Sequence, residues 1–340
     1  MLSSVNMASY INSAIDYSKS TLAFFAGLYN NAVTGKYHYD PESIPNLEGK
    51  VFVITGGLRG IGLHVTTFLT SKGAKVYSLS RNAAHSRAAI DTIHEQHPGA
   101  KIEYVSIDFN DLSTVGPAAK QLLAQEPEIH GVIHNAGIFP EKDTPDDVVF
   151  RVNVLGPHLL QKYLDNVLIA TAKKHPNQTD QFRIVWVSSF VQFISLKHGG
   201  IDFDNLLKGT PLTSYERLAP MASYTHAKVA NIYDSIQWIK HHPDSGVLSV
   251  SLHPGAVRTE LNPVGSPATK LIEKVGHDPV YGAYTELYAL LSSEITSAQN
   301  GAHIVPFGRM GTIRADIERA ANGPEGERLW NYIEDQIKDF

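Results

Sequence analysis

A short β-branched run that breaks into glycines near residue 50 restricts the fold of this chain more than any other stretch. Lys50-Val51-Phe52-Val53-Ile54-Thr55 reads as a strand buried on both faces. It runs into Gly56-Gly57-Leu58-Arg59-Gly60-Ile61-Gly62, and Leu63 to Ser71 then reads as a helix. Gly56 lets the chain leave the strand sharply, Gly60 lets backbone approach a pyrophosphate, and Gly62 permits close helix–strand packing. The helix N-terminus would face the phosphates with unpaired N–H groups and the positive end of its dipole. A glycine cluster alone is weak evidence. Its place between a strand and a helix is the context that a dinucleotide fingerprint requires.

The stretch Ala74 to Asn82 reads as a second strand. A cofactor with a free adenosine 2′-hydroxyl usually meets an Asp or Glu about 20 residues past the glycines. Here that stretch ends in Ser80, Arg81 and Asn82, with no carboxylate. A serine leaves room for a 2′-phosphate, and a guanidinium pairs with one in a fork geometry. Arg59, inside the glycine turn, adds a second positive charge, so NADP(H) is the expected cofactor. Val105 to Phe109 reads as a third strand ending at Asp108 and Phe109, and Ile129 to Gly137 as a fourth ending in Asn135-Ala136-Gly137. Ligands of open parallel sheets sit beyond the carboxyl ends of the strands, so both ends point at one crevice. Asp108 also reads as a helix cap and Asn135 as a turn residue, and both readings are compatible with ligand contact.

Tyr224 and Lys228 are four residues apart, one helical turn, so phenol and ammonium share a helix face. A free tyrosine titrates near 10, and a fixed positive charge beside it lowers that value toward a useful range. Alone, the pair reads more readily as a solvated helix face.

Taken together, Thr55-Gly56 through Gly60-Ile61-Gly62, Asn135-Ala136-Gly137, Asn153, Ser188-Ser189, Tyr224 with Lys228, and Pro254-Gly255 resemble the short-chain dehydrogenase/reductase superfamily. They occur in the order of that superfamily over about residues 48–260. Ile201-Asp202-Phe203-Asp204-Asn205-Leu206 and Ala227-Lys228-Val229-Ala230-Asn231 resemble its retinol-dehydrogenase-like, WW-domain-oxidoreductase-like branch, with a fungal character overall. The resemblance implies a catalytic tetrad. Tyr224 would be the acid in reduction and the base in oxidation, and Lys228 would lower its pKa and bind the nicotinamide ribose. Ser189 would hold the substrate oxygen, and Asn153 a water linking Lys228 to solvent. Pro254, Gly255, Val257 and Thr259 would approach the nicotinamide. His134 stands where the superfamily often has Asn, which implies different local packing.

Ser189 and Tyr224 are 224 − 189 = 35 residues apart, where shorter members of the superfamily place them about a dozen apart. The extra residues, including His198-Gly199-Gly200, read as a specificity wall or lid beside the substrate. Phe190, Phe193 and Leu196 suggest a hydrophobic small-molecule substrate, although they also suit a core.

Strand and helix signals alternate from Val51 to about Pro306 without a linker. The expected fold is therefore α/β, a single-domain Rossmann fold with a doubly wound parallel sheet and helices on both faces. It would span 47–340, with substrate loops at about 190–222 and 260–277, after an N-terminal extension of residues 1–46. A net charge of −5 gives no support for nucleic-acid binding, and with no cysteine there is neither a disulfide nor a thiolate zinc site. No metal is expected: the sequence-adjacent histidines, His94/His97, His130/His134 and His241/His242, join no carboxylate in a ligand spacing. Trp186 and Trp238 read as core residues.

The apolar run Leu22 to Tyr29 is too short to span a bilayer, which needs roughly 18 or more residues. It reads as a helix packed on the domain or, alternatively, as a peripheral contact with a membrane or lipid droplet. The helix from Gly326 to Phe340 would pack on the core or form a homodimer contact. The expected location is cytoplasmic, with or without that membrane contact. The leading function is an NADP(H)-dependent oxidoreductase interconverting a carbonyl and an alcohol. The alternatives are a non-redox dinucleotide-binding protein and a lyase or epimerase.

Overall fold

The computed structural model describes residues 38–140, 144–196, 198–203, 222–259, 261, 273, 274 and 276–340. Its strands are β1 (Val51–Thr55), β2 (Lys75–Ser80), β3 (Lys101–Ser106), β4 (Gly131–His134), β5 (Arg183–Val187), β6 (Leu248–Leu252), β7 (His303–Val305) and β8 (Arg309–Met310). They form one sheet in the order β3-β2-β1-β4-β5-β6-β7-β8, parallel throughout except for the last pair. The chain winds outward from β1 through β2 to β3, then returns and winds the other way from β4. The carboxyl ends of β1 and β4 therefore flank the topological switch point at which such sheets bind ligands.

The period-two alternation of each central strand divides the core. Val51, Val53, Ile184 and Trp186 belong to one cluster, and Phe52, Ile54, Val185 and Val187 to the other. The first cluster is covered by α3 (Val115–Gln125), α4 and α5 (Ala222–His241), the second by α1 (Gly60–Ser71) and α6 (Pro279–Leu291). Helix α2 (Ala83–Gln96) lies between β2 and β3 in the chain. Helix α4 has three stretches: α-helical Asp146–Phe150, a π-helical turn Arg151–Leu155 and α-helical Gly156–Lys174.

Two helices, α7 (Ala315–Asn322) and α8 (Pro324–Ile337), close the chain against this protein's own core through Ile317, Leu329, Ile333 and Ile337. His158 of α4 fastens α8 to α5, with Nδ1 3.0 Å from Asp234 of α5 and Nε2 3.2 Å from Glu334 of α8. Burial alone would push this imidazole down, but the Asp234 carboxylate, helped by Glu334, lifts it to about 9. The ring is therefore charged at neutral pH and ion-paired to both.

Two elements differ from the sequence reading. Strand β3 runs from Lys101 to Ser106 where Val105 to Phe109 was expected, so Asp108 and Phe109 lie beyond its end; it is the sheet edge, and its exposed Lys101 and Glu103 disguise it as a polar segment. Strand β8 was not foreseen. It is two residues long and follows a turn in which Phe307 and Gly308 both take φ +71°.

The boundary placed at residue 46 cuts a segment that packs on the domain. The His38 N–H donates to Phe307 O at 3.0 Å, and the Tyr39 ring meets Tyr288 edge-on at 5.6 Å. Ile44 and Leu47 are 4% and 5% exposed and belong to the second core cluster. The apolar run from Leu22 to Tyr29, residues 204–221 of the first substrate loop and most of the second lie outside the described residues. No helix among the described residues is long and apolar enough to cross a membrane.

Burying one isoleucine contributes roughly 1.5–3 kcal/mol. A chain beginning at Leu47, which lacks Tyr39 and Ile44, should accordingly unfold at lower urea than one beginning at His38. Equal urea midpoints for the two truncations would show that this segment adds nothing to the domain.

Candidate active site

Small residues create the cleft at the switch point. Gly56 and Gly60 hold φ of +66° and +53°, left-handed values that few side chains tolerate. A Cβ at Gly62 would lie 2.4 Å from Gly56 O and 2.8 Å from Asn135 Nδ2, so α1 docks this closely only because that carbon is missing. Asn135 braces the turn by donating to Thr55 O at 3.0 Å and Gly56 O at 3.3 Å, and the Ala136 N–H donates to Thr55 Oγ1 at 2.9 Å. Opposite, Pro254 and Gly255 turn the chain off β6, and Val257 makes a bridge with His277. Thr259 faces the glycine turn, its Cγ2 4.0 Å from where a Gly60 Cβ would sit. The Ile61 side chain packs on Gly282 of α6, leaving its backbone at the helix N-terminus. The free N–H groups of α1 and the space left by the missing carbons fit a dinucleotide's pyrophosphate.

At the adenosine end, the polar residues of the β2 terminus divide their work. Ser80 Oγ bonds Ser86 Oγ at 2.8 Å, and Asn82 caps α2 by accepting the His85 N–H at 3.0 Å. Arg81 is exposed and lines a cavity of about 370 Å³ with Ser106, Asp108, Thr114 and Gln121. Asp108 Oδ1 accepts the Asn110 N–H at 2.9 Å. Phe109 is 5% exposed and its ring packs where a Gly156 Cβ would be, so only its backbone is available to a ligand. Arg59 precedes α1 with an exposed side chain.

The tetrad residues converge at the carboxyl ends of β4 and β5. Lys228 Nζ donates to Val187 O at 2.8 Å, and Asn231 Nδ2 reaches the same oxygen at 3.1 Å. A Cβ at Gly137 would lie 3.4 Å from Lys228 Nζ and 3.0 Å from Asn153 Oδ1, so Gly137 lets these two groups approach one point. Asn153 sits in the π-helical turn of α4, a distortion often found at functional sites. Its Oδ1 accepts the Ile138 N–H at 2.8 Å and its Nδ2 donates to Ile138 O at 2.9 Å. Each of these groups keeps one further hydrogen-bonding position, so the side chain can still hold a water. Ser189 is the N-cap of a 3₁₀ turn, Phe190–Ile194, and its hydroxyl is near enough to Tyr224 to lower the phenol's pKa; the Tyr224 ring lies 4.8 Å from that of Phe139.

Burial dominates the electrostatics. Tyr224 is pushed up to about 12 by burial, with the Ser189 hydrogen bond pulling weakly the other way. Lys228 Nζ lies 5.7 Å from the Tyr224 ring centre, and in these surroundings its charge does not bring the phenol below its ordinary value, as the four-residue spacing had suggested. Lys228 itself is pushed down to about 8 by burial, opposed by Glu286. Glu286 of α6, which the sequence reading overlooked, is fully buried and pushed up to about 8 by burial, with Lys228 opposing. Neither carboxylate oxygen has a hydrogen-bond partner among the described residues. Its only sequence signal is a lone acid inside the apolar run Tyr281 to Leu291.

Away from the cleft, Glu128, His130 and His175 place ligand atoms within 4.8 Å of one another, a juxtaposition that the sequence spacing did not reveal. They lie at the opposite, amino end of the sheet. The Val51 N–H donates to His130 Nδ1 at 3.2 Å, which places the neutral ring's own proton on Nε2, and Glu128 is paired with Lys174 and His175. His134 is buried, stacks on Trp186 at 4.4 Å and bonds Gln161 at 2.9 Å.

A Glu whose folded pKa is raised favours the protonated form, so it lowers stability progressively as pH rises from about 4.5 toward 8. Glu286→Gln should therefore be more stable than wild type at pH 8, by on the order of 1–3 kcal/mol, and similar at pH 5. It should also move the Lys228 titration to lower pH, because the carboxylate that opposes burial is gone. Urea midpoints at both pH values check this, and equal midpoints at pH 8 would contradict it.

The family model described as short chain dehydrogenase matches residues 50–200. A short-chain dehydrogenase/reductase of Phomopsis amygdali is 36% identical over 321 residues, covering 89% of this chain and 93% of that protein. Among solved structures, an uncharacterised protein from Mycobacterium paratuberculosis superposes with a TM-score of 0.63 at 22% identity, over 88% of this chain and 97% of its own. A putative NAD(P)-dependent gluconate 5-dehydrogenase of Beutenbergia cavernae, solved with NADP, gives 0.58 at 19% identity over 76% and 96%. These two show the shared fold. With the sequence relationship across nine-tenths of its length, the chain belongs to the short-chain dehydrogenase/reductase family of oxidoreductases.

Proposed function

We propose that the protein is an NADP(H)-dependent oxidoreductase that interconverts a carbonyl and an alcohol on a hydrophobic small molecule, in the retinol-dehydrogenase-like manner. The observation that carries this reading is the meeting of the Tyr224 phenol with Lys228, whose Nζ lies 5.7 Å from its ring centre, and with the Ser189 hydroxyl, which acts on the phenol's titration, beside the glycine-lined cleft. In reduction, Ser189 orients the carbonyl oxygen and Tyr224 gives it a proton. A phenol held near 12 is neutral at physiological pH and thus in the donating form. Lys228, held above Val187 O, supplies the positive charge that steadies the phenolate left behind. NADP(H), when bound, supplies the hydride. The preference for the 2′-phosphate rests on exposed Arg81 at the end of β2, where a carboxylate would serve NAD instead. Phe139 against the Tyr224 ring favours an apolar substrate.

Tyr224→Phe should abolish carbonyl reduction, followed as loss of NADPH absorbance over a panel of ketones and aldehydes, while cofactor affinity stays nearly intact. Near-normal turnover would overturn the proton-donor role. Arg81→Asp should weaken NADPH binding by roughly ten- to hundredfold, the worth of a hydrogen bond to a charged group. It should leave NADH binding unchanged or improved, read by fluorescence titration. A wild type that already prefers NADH would defeat the cofactor assignment.

A further inference from the structure

The strand end that carries Ser189 continues into a segment without regular partners in the sheet, and one distant side chain holds it. Arg314, just before α7, has all five guanidinium N–H groups engaged. Nη1 donates to Gln192 O and to Ser195 O, both at 2.8 Å, and Nη2 donates to Leu196 O. Nε and Nη2 also meet the two carboxylate oxygens of Asp316, at 2.6 and 2.9 Å. The Arg314 backbone N–H donates to Gln192 Oε1 at 3.0 Å. Gln192, 1% exposed, continues through Nε2 to His303 Nε2 at 3.1 Å, and His303 Nδ1 bonds Ser251 Oγ of β6 at 2.9 Å.

Asp316 extends the hold to the far end of the segment by accepting the Gly199 N–H at 3.1 Å. There His198, Gly199 and Gly200 take φ of +62°, +98° and +78°, and Tyr233 of α5 donates to Gly199 O at 2.9 Å. A Cβ at Gly199 would lie 2.7 Å from both Tyr233 Oη and Ala320 Cβ, so this coil is seated between α5 and α7 by its lack of side chain. Three captured carbonyls and one captured N–H thus fix residues 192–196 and Gly199 to the C-terminal part of the chain. The start of that segment is the 3₁₀ turn that Ser189 caps, its Oγ accepting the Val191 N–H at 3.4 Å.

We propose that Arg314, backed by Asp316 and Gln192, is a positioning residue that fixes the substrate wall leaving Ser189 and so sets which carbonyl substrates fit beside Tyr224. The wall begins at Phe190, whose ring stands 6.1 Å from that of His253. A planar fork can hold three carbonyls and a carboxylate at once, and a lysine's single ammonium cannot. The proposal rests on the oxidoreductase reading above, and it deepens that reading by naming what determines substrate selection.

Arg314→Lys should loosen the wall while leaving intact the glycine-lined cofactor cleft at the ends of β1 and β4, which Arg314 does not touch. For bulky apolar ketones KM should rise about tenfold, a change of about 1.4 kcal/mol. For the smallest ketones of the panel kcat, and the NADPH dissociation constant, should stay near wild type. Hydrogen exchange of the free proteins should show faster exchange for the amides of residues 192–199, with those of α5 unchanged. Unaltered exchange there, or a loss of kcat and NADPH affinity alike for every substrate, would overturn the proposal. Should Arg314→Lys fail to fold, Asp316→Asn, which spares the three carbonyl bonds but removes the backing charge, should show the same split in smaller degree, and its absence would count against the clamp. A wild type that reduces none of the carbonyls would sink the oxidoreductase reading instead, and the exchange measurement would still judge the clamp.

Discussion

The close docking of α1 against the end of β1 is the constraint on which the site depends. Gly62 permits it, because a Cβ there would fall 2.4 Å from Gly56 O, well inside any tolerable contact. Asn135 then ties the glycine turn to the end of β4 through Thr55 O and Gly56 O. The two central strands of the sheet are thereby joined at their carboxyl ends, and the switch point becomes a cleft with a helix N-terminus as its floor. Gly137, two residues after Asn135, allows Lys228 and Asn153 to meet beside that cleft. Cofactor cradle and catalytic group share one short piece of backbone.

Within that cleft, removal from water outweighs nearby charge. Tyr224, Lys228 and Glu286 are all shifted in the direction that disfavours their charged forms, with burial the largest cause in each. The consequence is a neutral phenol and an amine near 8. The amine's charge is supported from α6 by an otherwise unpartnered carboxyl. Buried ionisable groups of this kind lower the stability of a fold, and they cluster at functional sites.

Around the cleft the molecule is divided between elements that the sheet fixes and segments that other parts of the chain must hold. The 3₁₀ turn after Ser189 is of the second kind, and Arg314, Asp316 and Tyr233 supply its restraint. Helix α8 is likewise held by a charged His158 between Asp234 and Glu334. Both devices bring residues from the last thirty or so positions of the chain onto the central helices. The C-terminal part is in this way integral to the domain.

The sequence alone determined whatever depends on neighbours along the chain. The strand–glycine–helix fingerprint, the alternation of Val51 and Val53 against Phe52 and Ile54, and the one-turn spacing of Tyr224 and Lys228 follow from backbone geometry with a period of two or 3.6 residues. These were enough for the doubly wound fold and for the residues at its switch point. Tertiary structure alone decided which groups meet across elements. Periodicity states that a face is buried, and it does not state against what. Nothing local to Asn153 announces that its amide bonds Ile138, and nothing near Glu286 announces Lys228. Arg314 reaches carbonyls 118–122 positions earlier, and no spacing in the chain encodes that reach. The fold of the sheet and the turn of α7 bring them together, and only then does a surface-type residue become the clamp of a substrate wall.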